Sequence, residues 1–322
     1  MSVIATVAEM QTWRDHATGT VGLVPTMGFL HEGHLSLVRR ARADCRHVVV
    51  SIFVNPTQFG PNEDLDRYPR DTDRDLRLLE AEGADAVFLP SVHEIYPPGF
   101  DDWVEVRGPL TERLEAEHRP GHFRGVTTVV ARLFRMIRPH KAYFGQKDAQ
   151  QLRVVRKMVA NLILPIEIIP MPIVREPDGL AMSSRNVYLS PTEREAALAI
   201  PHALALARRL IMDDGVTDAA AARQAIRDAI LRGVGQKEEV GSPEDLASDE
   251  SRPRLDLEYV SISDEQTLEE LETIDRPALV LLAAHAGQTR LIDNTIVVPR
   301  GTAVPDHLLP LLDEHTSHRA SS

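Results

Sequence analysis

The chain has 322 residues, enough for two domains that each bury a core, and 36 Lys and Arg residues against 48 Asp and Glu residues give a net charge of -12. This balance argues against a general nucleic-acid-binding surface, although it leaves room for a local basic pocket. The single cysteine, Cys45, excludes an internal disulfide framework and fits a reducing compartment. No secretory signal pattern and no apolar run of membrane-spanning length is found, so we expect a cytoplasmic protein with no membrane partner.

A strand, a turn and a helix are predicted in order between residues 21 and 40. Apolar residues at 21–24 form the strand, Gly28 marks the turn, and His31 and His34 lie three residues apart where the helix begins. Unpaired N–H groups and the helix dipole favour a phosphate there, and Gly33 allows it to approach the backbone.

Two histidines at this spacing have other interpretations. They are often surface or capping side chains, or half of a metal site. Zinc is the weaker alternative, because one cysteine and no nearby third ligand leave the tetrahedron incomplete. The H-x-G-H pattern after a strand resembles the phosphate-binding signature of nucleotidyltransferases and class I aminoacyl-tRNA synthetases.

The chain before and after this turn supplies further elements. Residues 1–19 predict a helix, and the nearly continuous apolar run at 47–54 predicts a strand covered on both faces. Gln58 follows that strand at its C-terminal end, where open α/β sheets bind ligands. Its amide could fix a hydroxyl or carboxylate of a small polar substrate, or simply contact solvent.

A second strand, turn and helix with a charged turn is predicted near residue 145. A short strand at 142–144 precedes a helix at 149–161, and the turn between them carries Gly145, Gln146, Lys147 and Asp148. Lys147 can neutralise a phosphoryl oxygen, and Asp148 suits a ribose or a metal. Gln151 lies one turn beyond Lys147 on the same helix face.

Several remaining elements complete the first half of the chain. We predict a helix at 73–82, strands at 85–89 and 166–169, an edge strand near Trp103, Val104 and Val106, and a helix at 126–137. The basic turn at 119–125 either grips a phosphate or caps that last helix. The alternation of strands and helices predicts a parallel sheet with helices on both faces.

Beyond Val174 the pattern changes to a smaller α+β domain. Residues 181–186 place two hydroxyls and a guanidinium in sequence, and a capping box at Ser190–Glu193 starts a helix that runs to about residue 212. A helix at 217–232 and strands at 255–262 and 278–284 follow. The segment at 235–253 is predicted to be a flexible insertion, and the tail at 306–322 is predicted to fray.

With these elements in place, the chain resembles the pantoate–β-alanine ligase (pantothenate synthetase) family. Six stretches match in order: PTMGFLHEGH, SIFVNPTQF, RPGHFRGVTTVV, YFGQKDAQQLRVVRKMV, DGLAMSSRNVYLS and TRLIDN. The resemblance implies a Rossmann-like nucleotide- and pantoate-binding domain at 1–173, a smaller C-terminal lid domain at 174–305, and a homodimer.

The resemblance also implies a reaction. ATP and (R)-pantoate give pantoyl-adenylate and pyrophosphate, and β-alanine then attacks the adenylate to give pantothenate and AMP. Mg²⁺ would accompany ATP. The carboxylate attacks the α-phosphorus in line, so the protein's part is positioning and charge stabilisation.

The family's site residues are carried over by position. The implied ATP site comprises Met27, Gly28, Phe29, Leu30, His31, Glu32, Gly33, His34, Gly145, Gln146, Lys147, Asp148, Val174, Met182, Ser183, Ser184 and Arg185. Pantoate is assigned to Gln58 and Gln151, and β-alanine to Gln58. The implied catalytic group is His34, His31, Lys147, Ser183, Ser184 and Arg185. Tyr68, Arg119 and His122 match residues near the substrates, and Asp75 loosely matches an acidic residue associated with magnesium.

One departure and two rival functions remain. Gln146 stands where the family commonly has glutamate, which removes a negative charge beside Lys147. A different transferase or a tRNA synthetase would use the same phosphate turn, but the net charge and the MSSR segment weigh against RNA. A regulatory nucleotide-binding protein is disfavoured by the joint presence of His31, His34, Lys147 and Arg185.

Overall fold

The computed structural model describes residues 1–233 and 255–312. The chain divides into two compact units, Met1–Val174 and Arg175–Ser322. The predicted insertion at 235–253 lies outside the described residues, as does the part of the predicted tail from residue 313 onward.

The first unit alternates strands and helices. Its strands are β1 (Ser2–Ile4), β2 (Val21–Thr26), β3 (His47–Ile52), β4 (Ala86–Phe88), β5 (Lys141–Gly145) and β6 (Glu167–Met171). Its helices are α1 (Val7–His16), α2 (Glu32–Asp44), α3 (Thr72–Ala81), α4 (Val92–Ile95), α5 (Glu115–His118), α6 (His122–Ile137) and α7 (Ala149–Asn161). All strand pairs are parallel, in the order β1-β4-β3-β2-β5-β6.

Alternate residues of each central strand enter two different cores. On β5, Phe144 joins the core under α6 and α7, whereas Tyr143 joins the core under α2 and α3. On β3, Val49 faces the first core, and Val48 and Val50 face the second. Successive side chains of a strand point to opposite faces, so helices cover both faces of the sheet. The predicted Rossmann-like parallel sheet is confirmed.

One local prediction in this unit was right only in part, and another was wrong. The helix predicted at 1–19 forms at Val7–His16, whereas Ser2–Ile4 form β1, which pairs with β4 and is too short to show a strand periodicity. The predicted edge strand near Trp103, Val104 and Val106 is not formed. The Val104 backbone instead donates to Thr128 Oγ1 at 3.1 Å and accepts from the Thr127 hydroxyl, so α6 side chains satisfy it.

The lone cysteine lies at the C-terminal end of α2. Cys45 is a free thiol with 5% of its surface exposed, and its Sγ atom is 3.5 Å from Tyr143 Oη. The side chain therefore packs as a small apolar group within the second core.

The second unit combines helices with an antiparallel sheet. Its helices are α8 (Pro191–Ala197), α9 (Ala199–Arg208) and α10 (Ala219–Arg232), and its strands are β7 (Leu255–Asp264), β8 (Ala278–Ala286) and β9 (Thr289–Val297). The predicted capping box starts α8, with Ser190 and Glu193 each bonding the other's backbone N–H. The predicted α+β fold is confirmed. Leu308 and Leu311 are buried, so the chain is still packed at these residues, within the stretch predicted to fray.

No helix in the ranges 1–233 and 255–312 is both long enough and apolar enough to cross a bilayer.

Candidate functional site

Three polar loops follow the carboxyl ends of adjacent strands in the first unit. The turn at 27–31 follows β2, Gln58 follows β3, and the turn at 145–148 follows β5. The chain passes from β2 to β3 on one side, while β5 pairs with β2 on the other. This reversal of strand order is where open α/β sheets form a ligand crevice.

The turn at 27–31 has a strained and well-supported backbone. Gly28 has φ +82°, and a Cβ there would lie 2.9 Å from Ile52 Cγ2, so the position requires glycine. Phe29 also has a positive φ of +50°, which is uncommon for a bulky residue. Asp75 holds both following amides: Oδ2 accepts from Phe29 N at 2.7 Å, and Oδ1 accepts from Leu30 N at 2.8 Å.

The two histidines meet at the start of α2. His31 is the N-cap residue, and the ring centroids of His31 and His34 are 4.0 Å apart. Burial, then the neighbouring His31 and Lys147, lower the pKa of His34 well below its usual value. His34 Nδ1 accepts the His31 backbone N–H at 3.3 Å, so the neutral ring carries its proton on Nε2. His34 can therefore donate a hydrogen bond without carrying a charge.

Lys147 lies on the short 3-10 turn Gln146–Asp148 after β5. Its charge is one of the causes that lower the pKa of His34, so Lys147 acts electrostatically on the two-histidine turn. Gln146 is 2% exposed, whereas Asp148 is exposed. A cation and a helix N-terminus thus follow the adjacent strands β5 and β2, an arrangement that suits a polyphosphate.

Gln58 ends a 3-10 turn that Asn55 caps. Asn55 Nδ2 donates to Gln58 Oε1 at 3.0 Å, and Gln58 Nε2 lies 3.4 Å from Met27 Sδ. The second contact joins the loop after β3 to the turn after β2, so Gln58 lies beside the two-histidine turn.

The predicted basic turn begins α6 and contacts the same region. Arg119 donates to both Glu63 oxygens, at 2.9 and 2.7 Å, and its Nη1 is 3.1 Å from His122 Nε2. His122 Nδ1 donates to the Gln58 backbone carbonyl at 2.8 Å. Burial, then the Arg119 charge, lower the pKa of His122 to about 4, so the ring is neutral. The basic turn therefore supports the Gln58 backbone.

The other predicted site residues of the first unit are buried or half-buried. Tyr68 is buried and stacks edge-on with Phe59 at 6.0 Å. Gln151 is half-buried on α7, beside Gln150, which is fully used by backbone groups at 110–115. Val174 is the last, half-buried residue of the unit.

The second unit carries the hydroxyl-and-guanidinium segment at 182–185. Ser183 caps the 3-10 turn Ser184–Tyr188, with its Oγ accepting from Arg185 N at 3.3 Å. Ser184 is 6% exposed, and Met182 and Arg185 are half-buried.

Two ionic contacts hold this segment in place. Arg175 forms a bidentate pair with Asp293 on β9, at 2.7 and 3.1 Å. Asn186 Nδ2 donates to Glu176 Oε1 at 2.6 Å, and Arg194 on α8 pairs with the other Glu176 oxygen. The TRLIDN motif thus supplies Asp293 as a support for the segment.

The carboxylate of Asp75 accepts hydrogen bonds from backbone amides, and this contact differs from that of a metal ligand. Each of its oxygens accepts a backbone N–H, and its side chain is 1% exposed. Within 1–233 and 255–312 no cluster of three or more His, Cys, Asp and Glu side chains could hold a metal ion. The described residues therefore do not form a metal cage of their own.

Sequence reasoning missed four supporting residues: Asn55, Tyr96, Glu63 and Asp293. Tyr96, Glu63 and Asp293 contact partners 41, 56 and 118 residues away, so no local spacing marks them. Asn55 does have a local signal, because an asparagine followed by a proline after a buried strand is typical of a helix N-cap.

Comparison with known proteins gives a consistent result. A family model described as "Pantoate-beta-alanine ligase" matches residues 2–296. The chain is 54% identical to the pantothenate synthetase of Roseiflexus sp. (strain RS-1) over 299 residues, covering 92% of this chain and 99% of that protein. It is 53% identical to the pantothenate synthetase of Thermotoga neapolitana over 300 residues, covering 92% and 100%.

Solved structures agree over the same length. A pantothenate synthetase from Thermus thermophilus has a TM-score of 0.83 and 47% identity, covering 93% of this chain and 100% of that one. A pantoate-beta-alanine ligase from Francisella tularensis, complexed with beta-gamma ATP and beta-alanine, has a TM-score of 0.72 and 31% identity, covering 92% and 97%.

Proposed function

Because the chain belongs to the pantoate-beta-alanine ligase family, we propose that its ATP-dependent ligation of pantoate with β-alanine takes place at the crevice of the two-histidine turn. The observation that carries this assignment is the contact between His31 and His34 after β2, together with the Lys147 charge that acts on His34 from the turn after the neighbouring strand β5. The substrates are ATP, (R)-pantoate and β-alanine, and the intermediate is pantoyl-adenylate.

The first step is formation of the adenylate. The pantoate carboxylate attacks the α-phosphorus of ATP, and pyrophosphate leaves in line. His34 Nε2–H donates to a phosphate oxygen, and Lys147 neutralises charge that gathers as the bond to pyrophosphate breaks. This role is supported by the neutral state of His34, because a charged imidazole would repel the Lys147 ammonium.

The remaining assignments follow the family's motif positions. Met27–His34, Gly145–Asp148 and Val174 are assigned to ATP, and the motif positions Met182, Ser183, Ser184 and Arg185 are assigned to ATP as well. Gln58 and Gln151 hold pantoate, and Gln58 also lies near β-alanine. Tyr68, Arg119 and His122 occupy the positions of family residues that lie near the substrates.

The second step is attack on the adenylate. The free amine of β-alanine attacks the acyl carbon, and AMP leaves with the electron pair of the broken C–O bond. The amine must lose a proton, which passes to water or to a phosphate oxygen of the leaving AMP.

Mg²⁺ is proposed as a companion of ATP. Magnesium commonly keeps several waters and binds substrate phosphates with only one or two carboxylates, so a protein cage is not needed. When bound, it would supply charge neutralisation on the phosphates. The exposed Asp148 fits a single carboxylate contact better than the engaged Asp75 does.

A homodimer and a cytoplasmic location complete the proposal. Ile163 is 88% exposed and Leu162 47%, beside a cleft of about 530 Å³ next to the edge strand β6. Apolar surface of this kind favours association with a second copy. The use of ATP and the free thiol of Cys45 fit the cytoplasm.

The function is tested by product dependence. The protein is incubated with ATP, pantoate and β-alanine, and AMP is measured with each component omitted in turn. We expect AMP and pantothenate only when all three are present, and pantoate-dependent ATP–pyrophosphate exchange without β-alanine. Release of AMP without pantoate would overturn the assignment.

A further inference from the structure

The side-chain amide of Asn55 has one orientation, because two backbone groups fix it. Its Oδ1 accepts the Thr57 backbone N–H at 3.3 Å, and its Nδ2 donates to the Gly125 carbonyl at 3.2 Å. A backbone N–H can only donate and a carbonyl can only accept, so the reversed amide would face a donor with a donor. Asn55 is also 1% exposed, so bulk solvent does not reach these positions.

Gly125 brings its carbonyl within reach of Asn55. A Cβ at this position would lie 2.3 Å from the Thr57 carbonyl oxygen, which is far inside contact distance. Helix α6 therefore approaches the turn at 56–58 as closely as only glycine allows.

The fixed amide of Asn55 in turn fixes the amide of Gln58. The second proton of Asn55 Nδ2 is donated to Gln58 Oε1 at 3.0 Å, so that oxygen faces the protein. The amino group of Gln58 then faces the two-histidine turn, where it lies 3.4 Å from Met27 Sδ. A thioether is a weak acceptor, so a stronger one would readily take the N–H.

The Tyr96 hydroxyl also helps to hold the Asn55 amide in this orientation. Its Oη lies 2.8 Å from Asn55 Oδ1 and 3.1 Å from Thr57 Oγ1. Burial raises the pKa of Tyr96, so the hydroxyl keeps its proton and donates. Phe100 and Trp103 pack around its ring at centroid distances of 5.1 and 6.4 Å, which holds the hydroxyl in place.

We propose that Asn55 and Tyr96 are positioning residues that fix Gln58 as a hydrogen-bond donor, so that the acid substrate is recognised there through an acceptor oxygen. The proposal rests on the function assigned above, with Gln58 as part of the pantoate site. In this hydrogen bond Gln58 is the donor and the substrate is the acceptor. The substrate must therefore present a lone pair of a carboxylate or hydroxyl oxygen to Gln58, and a group that can only donate is rejected.

The test compares three variants in pantoate-dependent ATP–pyrophosphate exchange, with KM measured separately for pantoate and ATP. Gln58→Glu replaces the outward amino group with an oxygen. Asn55→Asp leaves only acceptors facing Gln58, which turns its amino group inward. Tyr96→Phe removes one hydroxyl and is the mildest change. Tyr143→Phe, which removes a buried hydroxyl on the opposite face of the sheet, is the matched control.

The expected results distinguish a loss of Gln58 positioning from a general loss of structure. Gln58→Glu and Asn55→Asp should raise KM for pantoate by about 10- to 100-fold, the range for hydrogen bonds to charged groups, and Tyr96→Phe by about 2- to 10-fold. KM for ATP should stay within about twofold in all of them, as should both constants in the control. Thermal melting confirms that each variant is folded.

Two results would overturn the proposal, and a third would overturn the function instead. The proposal is wrong if folded Gln58→Glu has an unchanged KM for pantoate, or if Tyr96→Phe raises the KM values for pantoate and ATP equally. Either result would show that Asn55 and Tyr96 do not fix Gln58 as a hydrogen-bond donor to pantoate. Absence of pantoate-dependent exchange in the wild-type protein would reject the assigned function before any variant is compared.

Discussion

Asp75 accepts the backbone N–H of Phe29 at 2.7 Å, although 46 residues separate them in the chain. The same carboxylate accepts from Leu30, and burial raises its pKa against the lowering effect of these two bonds. The turn that carries the two histidines is thus held by a side chain from another helix, α3.

This contact predicts the effect of replacing Asp75. Asp75→Asn presents an amino group to one of the two amides, so we expect a weakened turn and a rise of about 10-fold or more in KM for ATP, on the scale of a lost charge-assisted hydrogen bond. Asp73→Asn changes an exposed carboxylate on the same helix and should leave KM for ATP unchanged. Steady-state kinetics measure both, and equal KM values in the two variants would remove Asp75 from its supporting role.

The charge-stabilising groups predict a loss in the first step. His34→Ala and Lys147→Ala should each lower the rate of pantoyl-adenylate formation by at least ~10²-fold, because each removes a donor or charge aimed at the phosphates. The controls are His93→Ala and Lys157→Ala, which alter exposed residues of the same types. Single-turnover adenylate formation is the measurement, and a near-native rate in either site variant would exclude that residue from catalysis.

The Arg175–Asp293 pair predicts a stability effect in the second unit. Asp293→Asn breaks a pair whose carboxylate side chain is 1% exposed, and breaking a buried pair typically costs about 3–5 kcal/mol. Because the Arg175 side chain is 24% exposed and partly screened by solvent, we expect about half of that cost. Denaturant unfolding measures the change. The double variant Arg175→Met with Asp293→Leu removes both charges and should be less destabilised than Asp293→Leu alone, because both variants lose the acceptor for the Asn294 N–H but only the single variant takes the carboxylate from Arg175; the reverse order would contradict this account.

His122 predicts an acid-dependent stability. Its pKa falls from 6.5 to about 4 on folding, so below pH 6.5 the unfolded chain binds more protons than the folded one. The free energy of unfolding should therefore decrease by roughly 3 kcal/mol between pH 6.5 and 4 through this group alone. Urea unfolding of the wild type and of His122→Gln across this range should show a shallower acid dependence in the variant. Parallel curves would mean that His122 does not cause the loss.

The parts of the fold that sequence predicted are those with a local signal. The apolar run of β3 and the strand, turn and helix around His31 and His34 show their periodicity within a few residues, and both formed as predicted. Strand β1 has only three residues, so no period can be read from it. Its pairing with β4 depends on a strand that lies far along the chain, at Ala86–Phe88.

The supports of the candidate site lacked such a signal for a physical reason. Asp75 and Asp293 look like ordinary acidic residues in sequence, because their partners are backbone amides or an arginine 118 residues away. Their function depends on where the folded backbone places them. The family resemblance suggested a metal role for Asp75, whereas the geometry gives it two amide partners.

The buried thiol of Cys45 makes the chain convenient for spectroscopy. With 5% of its surface exposed and no second cysteine in the sequence, it should react slowly with maleimide probes in the native protein. A cysteine introduced at the exposed Val187, next to the serine-and-arginine segment, would then be the preferred labelling position without any background substitution. Fluorescence from a dye at that position could report how the segment responds when nucleotide is added.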